Sequence, residues 1–310
     1  MSPETGPPDL RAIVARLGGV LYQGGSAATI PAPGHSRKDR GLSLRVVSGG
    51  RLIYHAFNAK LPHPEVLAYL GMAPGQVREE TPAERRKREE AEREERARKL
   101  MFCGDLWRAT QPPEGTQVET YLREARAIRG PIPEAIRFHA AAPLAYPWTV
   151  YEGDKAPPRP RTAMVALAMN PERTEALGVH VTALQLDGSG KADMRAPRRM
   201  FGDLGGAVVP LSAFPSDGVL AIAEGIETAL AFRDLTGTPC WAALSTSGLR
   251  RFTPPRGTKR LIIAADSDDG GEGLEAAKVC AERATRTCDA VVTPAPTSQD
   301  WNDVLRGAKQ

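Results

Sequence analysis

From Gly218 to the C-terminus, short wholly apolar runs alternate with helical patterns, and no other feature of the chain restricts its fold as strongly. GVLAIAE (Gly218–Glu224) reads as a strand, and IETALAFRDLTG as a helix stopped by Gly237. PCWAALS and KRLIIAAD read as two more strands, GEGLEAAKVCAERAT as a helix, AVVTPAP as a strand and WNDVLRG as a short final helix. Strands that are apolar throughout are buried on both faces, and helices between them place those strands in parallel. The last hundred residues are therefore expected to form an α/β unit, with ligands gathering at the carboxyl ends of its strands.

The strand ends carry acids. Glu224 closes the first run; Asp266 closes the third, with Asp268 and Asp269 in the turn behind it. Carboxylates crowded at one sheet edge repel unless a cation lies between them. Hard oxygen donors suit Mg²⁺ or Mn²⁺, and Mg²⁺ commonly takes one or two carboxylates and fills its sphere with water and substrate phosphate. The alternative is that an acidic turn caps the next helix; for Asp266 and Asp268 the partner acid Glu224 on a second strand end weighs against it.

The rest of the chain divides into three expected regions. Residues 1–78 read as a small α+β module, with helices at DLRAIVARLGG and HPEVLAYLG and strands at LSLRVV and RLIYHAF around Ser48-Gly49-Gly50. This module holds nine Lys/Arg against four Asp/Glu. Residues 79–100 balance eight acids with eight bases at helical spacing, the pattern of an exposed linker helix. Residues 101–213 read as a Pro-rich mixed α+β region, with a helix at TQVETYLREARAI and strands at RTAMVALAM and VHVTALQ. GSGK at 188–191 fails the spacing of a phosphate loop and lacks the Ser or Thr after Lys191, so it is read as a hairpin turn. With no phosphate loop elsewhere, a helicase motor would have to come from another chain.

Composition sets milder limits. A net charge of +4 permits a nucleic-acid partner without requiring one. Cys103, Cys240, Cys280 and Cys288 form no C-x-x-C pair, which argues for reduced, mostly buried thiols. No apolar run is long enough to span a membrane, and the start of the chain lacks the pattern of a signal peptide, so a cytoplasmic location is expected.

EGIETAL (Glu224–Leu230), AADSDDGGEG (Ala264–Gly273) and DWNDVL (Asp300–Leu305) together resemble a Toprim domain over about 214–310, with the Glu-Gly and Asp-x-Asp elements 42 residues apart. The wording is most similar to the primase and primase-helicase proteins of phages, plasmids and integrative elements. The stretches from VTALQLDGSGKAD to RRMFGDLGGAVVPL resemble what precedes Toprim in those proteins. The resemblance implies a primase-like nucleotidyltransferase that makes short primers on single-stranded DNA from nucleoside triphosphates, with Mg²⁺ or Mn²⁺. Glu224 would be the acid/base or metal-organising residue. Asp266 and Asp268 would hold the metal, with Asp269 as a further candidate ligand and Glu227, Asp300 and Asp303 as supporting acids. Cellular primases carry a second acid where this chain has Thr228; Glu227 lies one position earlier, about 100° away on a helix. A Toprim nuclease and a non-catalytic DNA-binding replication accessory are the alternatives.

PAPGHSRKDRGLSLRV and GGRLIYHAF resemble the zinc-ribbon of such primases, but the cysteines are missing and Ala56 stands where one belongs. A structural zinc site needs four ligands. His35, His55 and His63 offer at most three, so a module kept without zinc is expected. Arg37, Lys38, Arg40 and Arg45, with Arg195, Arg198 and Arg199 ahead of the Toprim-like unit, are candidates for contact with a phosphate backbone.

Overall fold

The computed structural model describes residues 9–37, 39–47, 51–57, 61–73, 75–151, 157–267, 271–296 and 299–307. Lys38, the Ser48-Gly49-Gly50 turn, Asp268 and Asp269 lie outside the described residues. The chain divides into two compact units, residues 1–93 and 94–310.

In the first unit, helix α1 (Leu10–Leu17) starts at Asp9, whose carboxylate accepts the Arg11 amide at 2.8 Å. Five strands follow: β1 (Val20–Tyr22), β2 (Ala27–Ile30), β3 (Leu42–Val47), β4 (Arg51–Ala56) and, after helix α2 (His63–Leu70), β5 (Val77–Glu79). They lie in chain order, antiparallel except for the parallel β4–β5 pair. Leu42 and Leu44 of β3 and Leu52 and Tyr54 of β4 alternate onto one face, where they meet Val66 and Leu70 of α2. The patterns marked α1, α2, β3 and β4 in the sequence. The strands β1 and β5 are three residues long, too short for alternation to register.

The charged segment becomes helix α3, Pro82–Arg108, starting later and running further than its charge pattern suggests. Its start is a capping box. The Thr81 hydroxyl accepts the Glu84 amide while Glu84 Oε2 accepts the Thr81 amide at 3.0 Å, and Pro82 sits where no amide is needed. At the far end the charges give out and Cys103 and Leu106 are buried, so packing extends the helix.

In the second unit, the stretch read from sequence as one helix breaks into two geometries. Helix α4 (Gln117–Thr120) gives way to a π turn over Tyr121–Ala125, where the Arg126 amide reaches back to the Tyr121 carbonyl. An antiparallel sheet follows in chain order: β6 (Ile136–Ala142), β7 (Arg161–Met169), β8 (Ala176–Ala183) and β9 (Arg198–Gly202). GSGK is a tight connection with Gly188 at φ 75°, closed by a bridge from Leu184 to Lys191.

The C-terminal part alternates as its apolar runs require: β10 (Val219–Ala223), α5 (Ile226–Thr236), β11 (Cys240–Ala242), α6 (Thr246–Arg251), β12 (Arg260–Ala265), α7 (Glu272–Ala284), β13 (Asp289–Pro294) and α8 (Trp301–Gly307). Gly237, at φ 71°, stops α5 as a left-handed cap. The four strands are parallel in the order β11-β10-β12-β13. Val208 bridges to Met169 of β7 and Val209 to Ala242 of β11, so one short segment joins the antiparallel and parallel sheets. A common core runs beneath both, from Tyr121, Ile136 and Met164 to Ala221, Phe232 and Leu305.

Candidate functional site

From β10 the chain crosses to β11 on one side, then returns to β12 on the other. The reversal leaves a crevice at the carboxyl ends of β10 and β12, the position where open parallel sheets bind ligands. Ala223 pairs with Ala264, so Glu224 and Asp266 follow at the ends of two neighbouring central strands.

Asp266 is held on both oxygens. Its Oδ2 accepts the Thr228 hydroxyl at 3.0 Å from the first turn of α5, and its Oδ1 accepts the Trp301 amide at 3.3 Å from the start of α8. The next residue is pinned as well: the Ser267 hydroxyl donates to the Ala295 carbonyl at 2.9 Å. A carboxylate fixed at the end of a central strand offers the hard oxygen donors a divalent metal requires. Among the described residues, no group of three or more His, Cys, Asp and Glu gathers at metal-ligating distances, and Asp268 and Asp269 lie outside that set.

The other predicted acids have separate surroundings. Glu227 turns away from the crevice into the antiparallel-sheet region, where its Oε1 accepts the Tyr121 hydroxyl at 2.7 Å and pairs with Lys191 Nζ at 2.8 Å. Burial pushes this carboxyl up, but the Lys191 charge and hydrogen bond, with the Tyr121 hydroxyl, outweigh burial and hold it well below the usual carboxylate range. Asp300 Oδ1 accepts the Asp303 amide at 2.6 Å, capping α8. Asp303 itself is exposed beside Arg306.

Sequence reasoning did not find Tyr121, Arg126, Lys191, His180 and Asn302. Arg126 Nε donates to the Tyr121 hydroxyl at 3.0 Å and Nη1 to Asn302 Oδ1 at 3.3 Å, while Asn302 Nδ2 donates to the Arg126 carbonyl at 2.7 Å. His180 is buried in β8, and burial lowers it to about 4 against the pull of Glu227. The sequence signals near these were a lysine in an otherwise ordinary turn and the position of Asn302 inside DWNDVL.

The candidate phosphate-contacting arginines divide. Arg37 donates to the carbonyls of Ala15 and Arg16 at the end of α1, and Arg45 pairs with the buried Glu80 at 2.8 Å. Arg199 donates to the Leu144 carbonyl at 3.1 Å. Arg37, Arg40, Arg195 and Arg198 are exposed, and Arg40 also donates to the Arg37 and Asp39 carbonyls. The three histidines do not converge: His35 faces Asp39, His63 stacks on Tyr54 and His55 meets the edge of Phe57. Among the described residues, no helix is long and apolar enough to cross a membrane.

A parallel sheet of order β11-β10-β12-β13, with Glu-Gly ending its first strand and an aspartate ending its third, decides the family of this part of the chain: residues 219–309 match the Toprim domain. The C-terminal part is a Toprim domain. Residues 93–211, the region before Toprim, match a family described as a domain of unknown function (DUF7146). Solved structures similar to the chain include a DNA primase domain from Pseudomonas aeruginosa at 14% identity, covering 51% of each chain with a TM-score of 0.36. The DnaG primase catalytic domain bound to ssDNA is 15% identical over 69% of this chain and 78% of that one, with a TM-score of 0.44. The primase fragment of the bacteriophage T7 primase-helicase protein is 15% identical over 48% and 60%, with a TM-score of 0.37.

Proposed function

We propose that the chain is a primase-like nucleotidyltransferase of a mobile element, making short primers on single-stranded DNA from nucleoside triphosphates. The observation that carries this reading is the placement of Glu224 and Asp266 at the switch point of a Toprim sheet. Asp266 and Asp268 would hold Mg²⁺ or Mn²⁺, with Asp269 beside them. A divalent ion there supplies charge neutralisation at the transferring phosphate and a fixed position for the attacking hydroxyl. Glu224, one strand away, serves as the base or as the organiser of that hydroxyl. Thr228 and the Trp301 amide fix the rotamer of Asp266, so its carboxylate does not reorganise when substrate arrives. Glu227, Asp300 and Asp303 act through the scaffold, to judge from the contacts described above.

In this reading the zinc-free module of residues 1–78 and the region 101–213 contribute contacts to the DNA backbone, with Arg37, Arg40, Arg195 and Arg198 exposed. Lys38 lies outside the described residues; Arg37, Arg45 and Arg199 combine any DNA contact with their roles inside the fold. The charged helix is the linker, and a replicative helicase is a candidate partner.

The test gives purified protein single-stranded DNA with a fluorescent end label and Mg²⁺ or Mn²⁺, with and without radiolabelled nucleoside triphosphates. The proposal expects new short products only with nucleotides and an intact template. Shortening of the labelled strand without nucleotides would overturn it in favour of a nuclease.

A further inference from the structure

The contacts around Asp266 close into a ring. From Asp266 Oδ2 it passes to the Thr228 hydroxyl, along the first turn of α5 to Glu227, and across to the Tyr121 hydroxyl at 2.7 Å. From Tyr121 it passes to Arg126 at 3.0 Å, to Asn302 in α8, and through the neighbouring Trp301 amide back to Asp266 Oδ1. Every polar group in it is used in the correct sense: the Tyr121 hydroxyl accepts from Arg126 and donates to Glu227, and the Asn302 amide both accepts from and donates to Arg126. Tyr121 and Asn302 are 0% and 1% exposed, so these bonds lie in a low-dielectric interior where each unmade partner is costly.

The backbone before the Toprim domain is bent to make the ring possible. On a regular helix Tyr121 and Arg126 would point about 140° apart. The π turn instead brings the Arg126 guanidinium to 5.3 Å from the Tyr121 ring, within reach of its hydroxyl. Ala127 follows at φ 60°, a left-handed conformation that a residue with a side chain adopts at a cost. π turns inside helices are found frequently at functional sites.

We propose that Tyr121, Arg126, Glu227 and Asn302 are positioning residues, which set the two oxygens of Asp266 for the metal through Thr228 and the Trp301 amide. The region preceding the Toprim domain thereby completes the metal centre, although it supplies no ligand itself. This inference rests on the metal-dependent reading above.

The test is Mn²⁺ affinity of the full chain, read from the free-ion signal in electron paramagnetic resonance. The variants are Tyr121→Phe, Thr228→Val, Thr228→Ser and the double variant Tyr121→Phe/Thr228→Val. Removing a group that orients a metal ligand weakens binding by about 10-fold. Tyr121→Phe and Thr228→Val should each show a loss of that order, and Thr228→Ser should restore affinity to within about twofold because it keeps the hydroxyl. The double variant should lose little more than either single one, since both cut the same ring. Wild-type affinity in Tyr121→Phe, with wild-type tryptophan fluorescence, would overturn the proposal. So would losses that multiply in the double variant, or a Thr228→Ser as weak as Thr228→Val. Absence of Mn²⁺ binding by the wild-type chain would instead overturn the metal reading itself.

Discussion

Replacing Lys191 by methionine removes the cation from a carboxylate that the fold has buried. Glu227 keeps only 12% of its side chain exposed, and Lys191 keeps 25%. Breaking a fully buried pair by deleting one partner costs about 3–5 kcal/mol. Partial exposure of the lysine and the surviving Tyr121 hydrogen bond place this case lower, at about 2–3 kcal/mol. All four tryptophans, Trp107, Trp148, Trp241 and Trp301, lie beyond residue 94, so their fluorescence reports on the second unit. With a urea slope of about 3 kcal/mol per molar, the midpoint at pH 7 should fall by about 1 M. The pH dependence should change sign. In the native chain the Glu227 carboxyl lies below its ordinary value of 4.5, so its stabilising effect is present above that value and is lost on acidification. Without Lys191, burial dominates and raises it above 4.5, so the variant loses stability as pH rises and recovers part of its deficit near pH 5. Lys191→Met/Glu227→Gln should recover more than half of the loss. A deficit below about 1 kcal/mol at pH 7, or one that grows on acidification, would mean that Lys191 does not hold this carboxylate charged in the fold.

Three further outcomes follow from the same structure. His180, lowered by burial to about 4, binds its proton more weakly in the fold than in the unfolded chain, so between pH 6.5 and 4 it should withdraw about 3 kcal/mol of stability; a His180→Asn variant whose urea midpoint falls as steeply with acid as the wild type would contradict this. Burial raises the thiols of Cys103 and Cys280 to about 11 and about 12 and pushes Cys240 higher still, so Ellman's reagent should titrate the half-buried Cys288 first and the other three only on denaturation; fast reaction of more than one thiol in the native protein would count against the packing described. Arg195→Ala/Arg198→Ala should weaken single-stranded DNA binding and reduce the slope of log affinity against log salt by about 1.4, with no change in the fluorescence of the folded chain; an unchanged slope would remove these arginines from the DNA contact.

Much of the Toprim domain was legible because its signals are local. Apolar runs marked the strands, Gly237 marked the end of α5, and acids directly behind two strands marked their carboxyl ends. Parallel pairing in the order β11-β10-β12-β13 then made Glu224 and Asp266 neighbours. What the sequence concealed is long-range. Tyr121 meets Glu227 across 106 residues, and Arg126 meets Asn302 across 176, with no periodicity linking either pair. Nothing in TQVETYLREARAI distinguishes a π turn from a regular helix, because the choice is made by the buried partners of Tyr121 and Arg126. Lys191 read as part of a turn because its partner, Glu227, lies in helix α5 beyond the whole of β9 and β10. The direction of Glu227 was legible: the 100° offset that separates it from the position of the family's second acid also points it at Tyr121 and Lys191.

In the proposed function, Glu224 and Asp266 carry template-dependent nucleotidyl transfer. It is tested most directly by radiolabelled nucleotide incorporation on single-stranded DNA with Mn²⁺, comparing the wild type with Glu224→Gln and Asp266→Asn, each matched for DNA binding and urea midpoint. The account predicts short labelled products from the wild type and a loss of at least about 100-fold in both variants, the scale expected when a general base or metal ligand is removed. Incorporation by either variant at the wild-type rate would contradict it.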